Sequence, residues 1–285
     1  MDLGKEHQKR EMARISEPKV AYFGLPGAFT HEAMEQFFGA HADASHFLST
    51  QEIFQAVEEG KVRYGVVPIE NSTTGIIQDV YDGLSQYNLY IVREGVVPIT
   101  QNLLGVPGAT LEDVREGYSH AQGFAQSEQF FSKHPDWNLI PYFNTAKGAE
   151  HVSKTGDKAK ACVASLKAAE IYHLEVLQKG IQDNDRNITR FIVLSKLMET
   201  SAEANKISLY LKVSHQPGTL YHALEAFSRH HLNLLKIESR PIPQQIWEYG
   251  FFIDLEGNVE EERVQEALRE IRPLCLEWKL LGNYI

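Results

Sequence analysis

A threonine and an arginine stand between a polar run and an apolar run in the segment DNDRNITRFIVLS, residues 183–195. The Asp and Asn residues of its first half favour turns, because their short polar side chains hydrogen-bond to the nearby backbone. The apolar run from Phe191 to Leu194 predicts a buried strand. Thr189 and Arg190 are therefore expected at a loop-to-strand junction, where open α/β sheets commonly bind small anions.

Three other junctions offer hydroxyl and amide groups in a similar way. Each lies between an apolar run that predicts a strand and a pattern that predicts a helix, and a helix start leaves backbone N–H groups unpaired. The polar residues at these junctions are Thr30, Asn71, Ser72, Thr73, Ser119, His120 and Gln122. Singly, each has an ordinary explanation as a helix cap or a packed side chain. They indicate a site only if the fold brings them into one cleft.

Composition limits the classes of function. The 285 residues, 43% of them hydrophobic, predict a substantial core and two or three folding units. A net charge of -10 argues against a nucleic-acid partner, so an anionic ligand must be attracted locally. Cys162 and Cys275 lack metal-type spacing, which predicts reduced thiols and no metal site. No apolar run is long enough to span a bilayer, and we expect a cytoplasmic protein without membrane association.

The pattern along the chain divides it into three parts. Residues 1–18 are a charged segment, for which a tail, a short helix and the remnant of an upstream module remain open. Residues 19–200 repeat strand, loop and helix, which predicts an α/β domain with largely parallel strands. Residues 206–285 predict the order βαββαβ, a ferredoxin-like unit that leaves one sheet face or an edge free for pairing.

Four short strings carry a resemblance to a known family. They are Pro68-Ile69-Glu70-Asn71-Ser72 with Gly75, Ser119-His120 with Gln122, Asn187-Ile188-Thr189-Arg190-Phe191, and Glu238-Ser239-Arg240-Pro241. In this order they resemble prephenate dehydratase followed by an ACT regulatory domain. The resemblance implies a two-lobed fold like that of periplasmic binding proteins. The lobes are expected at about 19–99 with 182–200 and at about 100–181.

The implied reaction removes carbon dioxide and the ring hydroxyl from prephenate and gives phenylpyruvate for phenylalanine synthesis. It needs no cofactor, because aromatisation drives the elimination. The family's catalytic threonine corresponds to Thr189, which we interpret as a positioned hydrogen-bond donor to the leaving hydroxyl. Implied substrate-binding residues are Thr30, Asn71, Ser72, Thr73, Ser119, His120, Gln122, Arg190 and Phe191. For Arg190 an equal alternative is that it braces the pocket by pairing with Asp183 or Glu70.

The ACT resemblance implies phenylalanine binding between paired subunits, and hence a homodimer or homotetramer. The implied effector residues are His215, Pro217, Gly218, Thr219, Leu220, Glu238, Ser239 and Arg240. Two departures from the family pattern stand out: Gln101 where histidine is common, and Tyr221 where valine is common. Two alternatives remain open, an arogenate dehydratase and a catalytically silent phenylalanine sensor.

Overall fold

The computed structural model describes residues 19–285 apart from 243, 244 and 246. The prediction for residues 1–18 lies outside this range. Three sheets organise the rest, and we call them sheet one, sheet two and the ACT sheet. A mixed α/β architecture with a four-stranded C-terminal sheet confirms the predicted fold class.

Sheet one has the strand order β2-β1-β3-β11-β5, and β4 pairs with β3. Its strands are β1 (Val20–Phe23), β2 (Ala44–Phe47), β3 (Tyr64–Asn71), β4 (Gly75–Ile76), β5 (Tyr90–Pro98) and β11 (Ile188–Ser195). Its helices are α1 (Phe29–Phe38), α2 (Thr50–Glu58) and α3 (Gln78–Gln86). Strands β1, β2 and β3 are parallel as expected, whereas β11 runs antiparallel to both β3 and β5. The difference arises because β11 enters sheet one after the chain has passed through sheet two.

Sheet two has the order β10-β6-β9-β7-β8. Its strands are β6 (Asn102–Gly105), β7 (Glu116–Ser119), β8 (Asn138–Pro141), β9 (Lys160–Ala164) and β10 (Glu175–Gln178). Its helices are α4 (Ala121–Ala125), α5 (Glu128–Phe131), α6 (Thr145–Thr155) and α7 (Leu166–Tyr172). The chain therefore leaves sheet one after β5 and returns to it at β11, and these two crossings lie side by side.

The ACT sheet has the order β13-β14-β12-β15, with every neighbour pair antiparallel. Its strands are β12 (Lys206–Val213), β13 (Leu234–Pro241), β14 (Tyr249–Glu256) and β15 (Cys275–Tyr284). Helices α8 (Thr219–Arg229) and α9 (Glu262–Ile271) cover one face. Either the opposite face or an edge is expected to be free for pairing. The face packs on sheet one, since Tyr210, Phe252 and Leu281 share a core with Ile192 and Leu194, and β13 forms one edge of the sheet.

The alternation of side chains along β11 explains how this strand contributes to two hydrophobic cores. Ile192 and Leu194 enter the core shared with the ACT sheet, while Phe191 and Val193 enter the core beneath α1. Because successive side chains of a strand point to opposite faces, the apolar run predicted from sequence is buried on both sides. Within the described residues, no helix is long and apolar enough to cross a membrane.

Lys279 of β15 gives a pH-dependent link between the ACT sheet and sheet one. Its ammonium group donates hydrogen bonds to the carbonyl oxygens of Leu84 and Tyr87 at the end of α3. Burial lowers the pKa of Lys279 from 10.5 to about 8, against the opposing effect of Glu58 and Glu277. At a pH between these two pKa values, the unfolded chain binds more protons than the folded one. The free energy of unfolding that this lysine contributes therefore grows as the pH rises.

We therefore expect the stability difference between wild type and Lys279→Met to increase in favour of wild type from about pH 8 to about pH 10. Urea unfolding of both proteins at each pH measures this difference and cancels the titration of all other groups. A difference that stays constant, or that falls over this range, would contradict the lowered pKa.

Candidate active site

A cavity of about 470 Å³ lies between sheet one and sheet two, where the two chain crossings meet. Its polar lining from sheet one and the adjoining segments is Thr30, Asn71, Thr74 and Thr189. Its polar lining from the second lobe is Gln101, His120, Gln122, Gln126, Asn144 and Thr145. Among the described lining residues there is no Asp, Glu, Lys or Arg. The cavity therefore offers hydrogen bonds and dipoles to a ligand, and among the described lining residues no carboxylate, ammonium or guanidinium group.

Thr189 and Asn71 form the central pair on the floor of the cavity. They lie opposite each other in the β11–β3 ladder, and Asn71 Nδ2 donates to Thr189 Oγ1 over 2.9 Å. Because the threonine oxygen accepts this bond, its own hydrogen is free to be donated elsewhere. Thr189 is only 7% exposed, and the side chain lines the cavity. The pair therefore leaves the hydroxyl hydrogen of a buried threonine available to a ligand in the cavity.

Asn71 also organises the loop that follows β3. Its Oδ1 accepts from the backbone N–H groups of Thr73 and Thr74, and from the Thr74 hydroxyl. Its Nδ2 reaches Asn187 Oδ1 over 2.7 Å, which ties the loop before β11 to the same side chain. One asparagine therefore fixes both segments that border the cavity, as Asx turns commonly do for a single loop.

A β-bulge lies immediately beside this pair. Arg190 is opposite Glu70 and Phe191 is opposite Pro68, so β3 carries one extra residue, Ile69, between them. Proline has no N–H to donate to a ladder and is tolerated inside a sheet chiefly at such irregularities. Bulges re-aim neighbouring side chains and are common next to active sites. Pro68 thus explains why the regular strand gives way just before Asn71.

His120 caps α4 from the second lobe. Its Nδ1 accepts from the backbone N–H of Gln122 over 3.2 Å, so in this arrangement a neutral ring carries its hydrogen on Nε2. Gln122 Nε2 donates to Thr74 Oγ1 over 3.3 Å and connects the lobes across the cavity. These contacts bring the second-lobe residues to the Thr189 side.

Six of the ten residues predicted for catalysis and substrate binding line the cavity, and four do not. Those that line it are Thr30, Asn71, His120, Gln122, Thr189 and Phe191. Ser72 and Thr73 lie in the loop beside it: Ser72 Oγ accepts from the backbone N–H of Ile188, and Thr73 contributes its backbone to the Asn71 turn. Thr30 lies within the first turn of α1 rather than at its cap, which is Ala28.

Ser119 and Arg190 point away from the cavity. Ser119 is fully buried, and its hydroxyl donates to the carbonyl oxygen of Val163 in the neighbouring strand. Arg190 follows Thr189 on β11 and therefore faces the opposite side of the sheet, where it pairs with Glu70 over 2.9 Å. The two interpretations of Arg190 were substrate binding and pairing with a carboxylate, and in the structure it pairs with Glu70.

Several cavity residues were not assigned to the site from sequence. They are Thr74, Gln101, Gln126, Phe143, Asn144 and Thr145. Asn144 caps α6 by accepting from the N–H of Lys147, so the capping pattern was a usable signal there. Gln101 was singled out as a departure but given no role. It is buried, its Nε2 donates to Gln126 Oε1, and its Oε1 has no partner among the described residues.

A second cavity, also of about 470 Å³, lies in the ACT domain. It is lined by His215, Pro217, Gly218, Thr219 and Leu220 as expected, together with Tyr221, Glu248, Tyr249 and Phe251. Glu238, Ser239 and Arg240 do not line it. Arg240 instead donates three hydrogen bonds of 2.9–3.1 Å to the Asp82 carboxylate of α3, because alternate residues of β13 face sheet one.

Comparison with known proteins identifies the family. The prephenate dehydratase family model matches residues 20–199, and the ACT domain model matches residues 207–273. The chain belongs to the prephenate dehydratase family. A bifunctional chorismate mutase/prephenate dehydratase of Aquifex aeolicus is 40% identical over 93% of this chain and 73% of its own length.

Solved structures agree on the fold. A prephenate dehydratase of Arthrobacter aurescens in complex with L-Phe has a TM-score of 0.84 and 31% identity, over 93% of this chain and 89% of its own. GqqA, described as a novel type of quorum-quenching acylase, has the same TM-score and 29% identity, over 93% of this chain and 97% of its own. The fold alone therefore does not decide the chemistry, and the cavity residues must.

The placements of Ser119 and Gln122 separate stability from activity. Ser119→Ala leaves the Val163 carbonyl without its partner, and we expect the free energy of unfolding to fall by about 1–3 kcal/mol with kcat/KM for prephenate unchanged. Gln122→Ala removes a cavity amide, and we expect it to lower kcat/KM for prephenate while the free energy of unfolding stays unchanged. Denaturant unfolding and steady-state kinetics on both variants test this. A loss of activity in folded Ser119→Ala would indicate that this serine contributes to substrate binding.

Proposed function

We propose that the cavity between the lobes binds prephenate and converts it to phenylpyruvate, carbon dioxide and water. The observation that carries this proposal is the Thr189–Asn71 pair, which leaves the threonine hydroxyl hydrogen available in a cavity with no Asp, Glu, Lys or Arg among its described lining residues. In the reaction, the bond from the ring to its carboxylate breaks and its electron pair enters the ring. The carbon–oxygen bond to the ring hydroxyl breaks at the opposite carbon, and an aromatic ring results.

Thr189 acts on the leaving group. Hydroxide leaves poorly, so a donor at its oxygen lowers the barrier, and a well-placed donor contributes about 10²–10⁴-fold. A threonine hydroxyl is too weak an acid to be deprotonated for long. It donates a hydrogen bond as charge develops on the departing oxygen, and the proton that completes water comes finally from solvent. No cofactor is required, because aromatisation supplies the driving force.

Helix starts and neutral donors bind the substrate's anionic groups. Thr30 lies in the first turn of α1, and Asn144 and Thr145 begin α6. Backbone N–H groups at such positions favour negative charge without a formal cation. His120 Nε2 and the amide of Gln122 add further donors from the second lobe. This arrangement suits a substrate that must lose one of its two carboxylates.

Replacing Thr189 tests the proposal. We expect Thr189→Val, which keeps the volume and removes the hydroxyl, to lower kcat for prephenate by about 10²–10⁴-fold. Thr189→Ser keeps the hydroxyl and should stay within about tenfold of wild type. Turnover is measured as phenylpyruvate release from prephenate, as phenylalanine release from arogenate, and as release of the carboxylic acid from an N-acyl amide as an acylase substrate. Thermal unfolding and phenylalanine binding confirm that each variant is folded.

The substrate series separates the possible functions. Wild-type turnover confined to arogenate, with phenylalanine as the product, supports an arogenate dehydratase, and cleavage of the acyl amide bond without phenylpyruvate release supports an acylase. A folded protein that binds phenylalanine and turns over none of these compounds is a sensor. Equal kcat for Thr189→Val and wild type on prephenate would remove the threonine from the mechanism.

Phenylalanine is the effector that we assign to the ACT cavity. The loop from His215 to Leu220 and the aromatic side chains of Tyr249 and Phe251 offer backbone groups beside apolar walls, as an amino acid with an aromatic side chain requires. The exposed residues Leu235 and Ile237 lie on β13, whose one strand partner within the described part of the chain is β14. This edge supports assembly as a homodimer or homotetramer through ACT domains. A cytoplasmic location stays a prediction.

Gly218 offers a test of the effector site. Its φ of 88° lies in the left-handed region, so a β-branched side chain there strains the loop. We expect Gly218→Val to weaken inhibition by phenylalanine at least about tenfold. Gly156→Val is the matched control, since Gly156 has a φ of 64° and lies after α6 in the catalytic domain. Inhibition curves and calorimetric titration with phenylalanine measure both, and equal responses would place the effector elsewhere.

A further inference from the structure

Six charged side chains meet between sheet one and the ACT sheet, directly behind the Thr189–Asn71 pair. We call them the junction cluster. Its three carboxylates are Glu70, Glu94 and Asp254, and its three cations are Arg190, Lys206 and Lys236. The formal charges balance, which is what a partly buried group of ions needs to be tolerated. The function proposed for the cavity assigns no role to this cluster.

Arg190 is at the centre of the junction cluster. Its guanidinium nitrogens lie 2.9 Å from Glu70 Oε2, 3.4 Å from Glu94 Oε2 and 3.6 Å from Asp254 Oδ2. Only 17% of its side chain is exposed. Burial opposes its charge, but Glu94, Asp254 and Glu70 outweigh burial and raise its pKa, so it stays a cation. The planar guanidinium thus joins three strands of sheet one, β11, β3 and β5, to the ACT sheet.

Two of these strands, β11 and β3, also carry the catalytic pair. In the β11–β3 ladder, Arg190 is opposite Glu70 in the step next to the one that sets Thr189 opposite Asn71. The bulge at Ile69 interrupts the ladder on the other side of Arg190. Because a bulge disrupts regular pairing, the Arg190–Glu70 ion pair is the side-chain contact that restrains this step from the face opposite the cavity.

The ACT sheet supplies the outer part of the junction cluster. Lys236 lies 2.8 Å from Glu70 Oε1, so this carboxylate is held from both domains. Asp254 Oδ1 accepts from Ser208 Oγ over 2.6 Å, and that hydroxyl also lies 2.7 Å from the Tyr284 hydroxyl. These bonds fix the Asp254 carboxylate in the orientation that meets Arg190.

We propose that Arg190 is a positioning residue for the Thr189–Asn71 pair, and that Asp254 and Lys236 of the ACT sheet complete the setting that holds it. The inference rests on the function proposed for the cavity. Arg190 touches no substrate in this scheme; it acts by keeping the register in which Asn71 Nδ2 meets Thr189 Oγ1. Small displacements of a catalytic group are costly, since about 1 Å can lower a rate about 10²-fold.

The test compares kcat and KM for prephenate in four variants of the full chain. Arg190→Lys keeps the charge and loses the planar fork, whereas Glu70→Gln and Asp254→Asn keep shape and lose charge. We expect kcat to fall about 10–100-fold in Arg190→Lys and about 3–30-fold in each of the other two, with KM within about threefold. The double variant Arg190→Lys/Glu70→Gln should lose no more than the worse single variant, because the two side chains act as a unit.

Arg63→Met is the matched control. Arg63 pairs with Glu199 over 3.1 Å at the opposite end of β3, so this variant breaks an arginine–carboxylate pair far from the cavity. We expect its kcat to stay within about twofold of wild type. Thermal unfolding is recorded for every protein. Should Arg190→Lys not fold, Glu70→Gln and Asp254→Asn decide the question.

The outcomes separate this inference from the function on which it rests. Wild-type turnover, with folded Glu70→Gln and Asp254→Asn that have reduced kcat and nearly unchanged KM, supports the positioning role. Wild-type turnover with unchanged kcat in both variants overturns that role and leaves the proposed function intact. Fully additive losses in the double variant also overturn it, because independent effects contradict a shared register. Absence of wild-type turnover overturns the proposed function and the positioning role together.

Discussion

The antiparallel pairing of β11 with β3 is the constraint on which the site depends. Because side chains alternate along a strand, this pairing sends Thr189 and Phe191 to the cavity and sends Arg190 and Ile192 to the opposite face. A slip of one residue would exchange the two sets. Burial of Ile192 and Leu194 against the ACT sheet, and of Phe191 against α1, opposes such a slip from both sides. The polar pair is thus held by apolar contacts on its own strand.

The ACT sheet packs on the segment that carries the cavity loop. Strand β13 contacts both ends of residues 70–82, through Lys236 to Glu70 and through Arg240 to Asp82. Between these contacts lie Asn71 and the start of α3. Any displacement of β13 relative to sheet one therefore acts on this segment from two points. Allosteric coupling is typically about 1–3 kcal/mol, which is comparable to one hydrogen bond of a charged group.

In this arrangement Arg240 contacts a different partner from the one that its sequence motif predicts. Its motif predicts contact with the effector, yet its side chain is bound to the catalytic lobe while the ACT cavity opens near residues 215–221. Strand β13 pairs with β14 beside Tyr249 and Phe251, which line the ACT cavity, and its Arg240 is bound to α3, so the position of β13 can link the two. The physical requirement is that effector binding discriminates between two positions of the strand.

Prediction from sequence succeeded where local pattern decides the outcome. The βαββαβ order followed from period-two and helical spacing, and the burial of β11 followed from its apolar run. The direction of a polar side chain did not follow, because Ser119 and Arg190 each belong to a strand whose cavity face is known only once the sheets are assembled. Gln101 was missed for a related reason, since it lies in the crossing between the lobes, and Thr145 was missed because the start of α6 meets the cavity only in the assembled fold.

The neutral lining of the cavity bears on the choice between dehydratase and acylase chemistry in this shared fold. Acyl transfer needs a nucleophile activated by a base, but among the described hydrogen bonds the cavity hydroxyls of Thr189 and Thr74 pair with amide side chains and with no histidine. Loss of carbon dioxide needs the opposite condition, because a carboxylate spreads its charge into the ring as it departs. A strong cation at that carboxylate would stabilise the ground state more than the transition state. In the proposed reaction, amides, hydroxyls and helix N–H groups bind the anion without the extra ground-state stabilisation of a cation, and Thr189 favours departure of the hydroxyl.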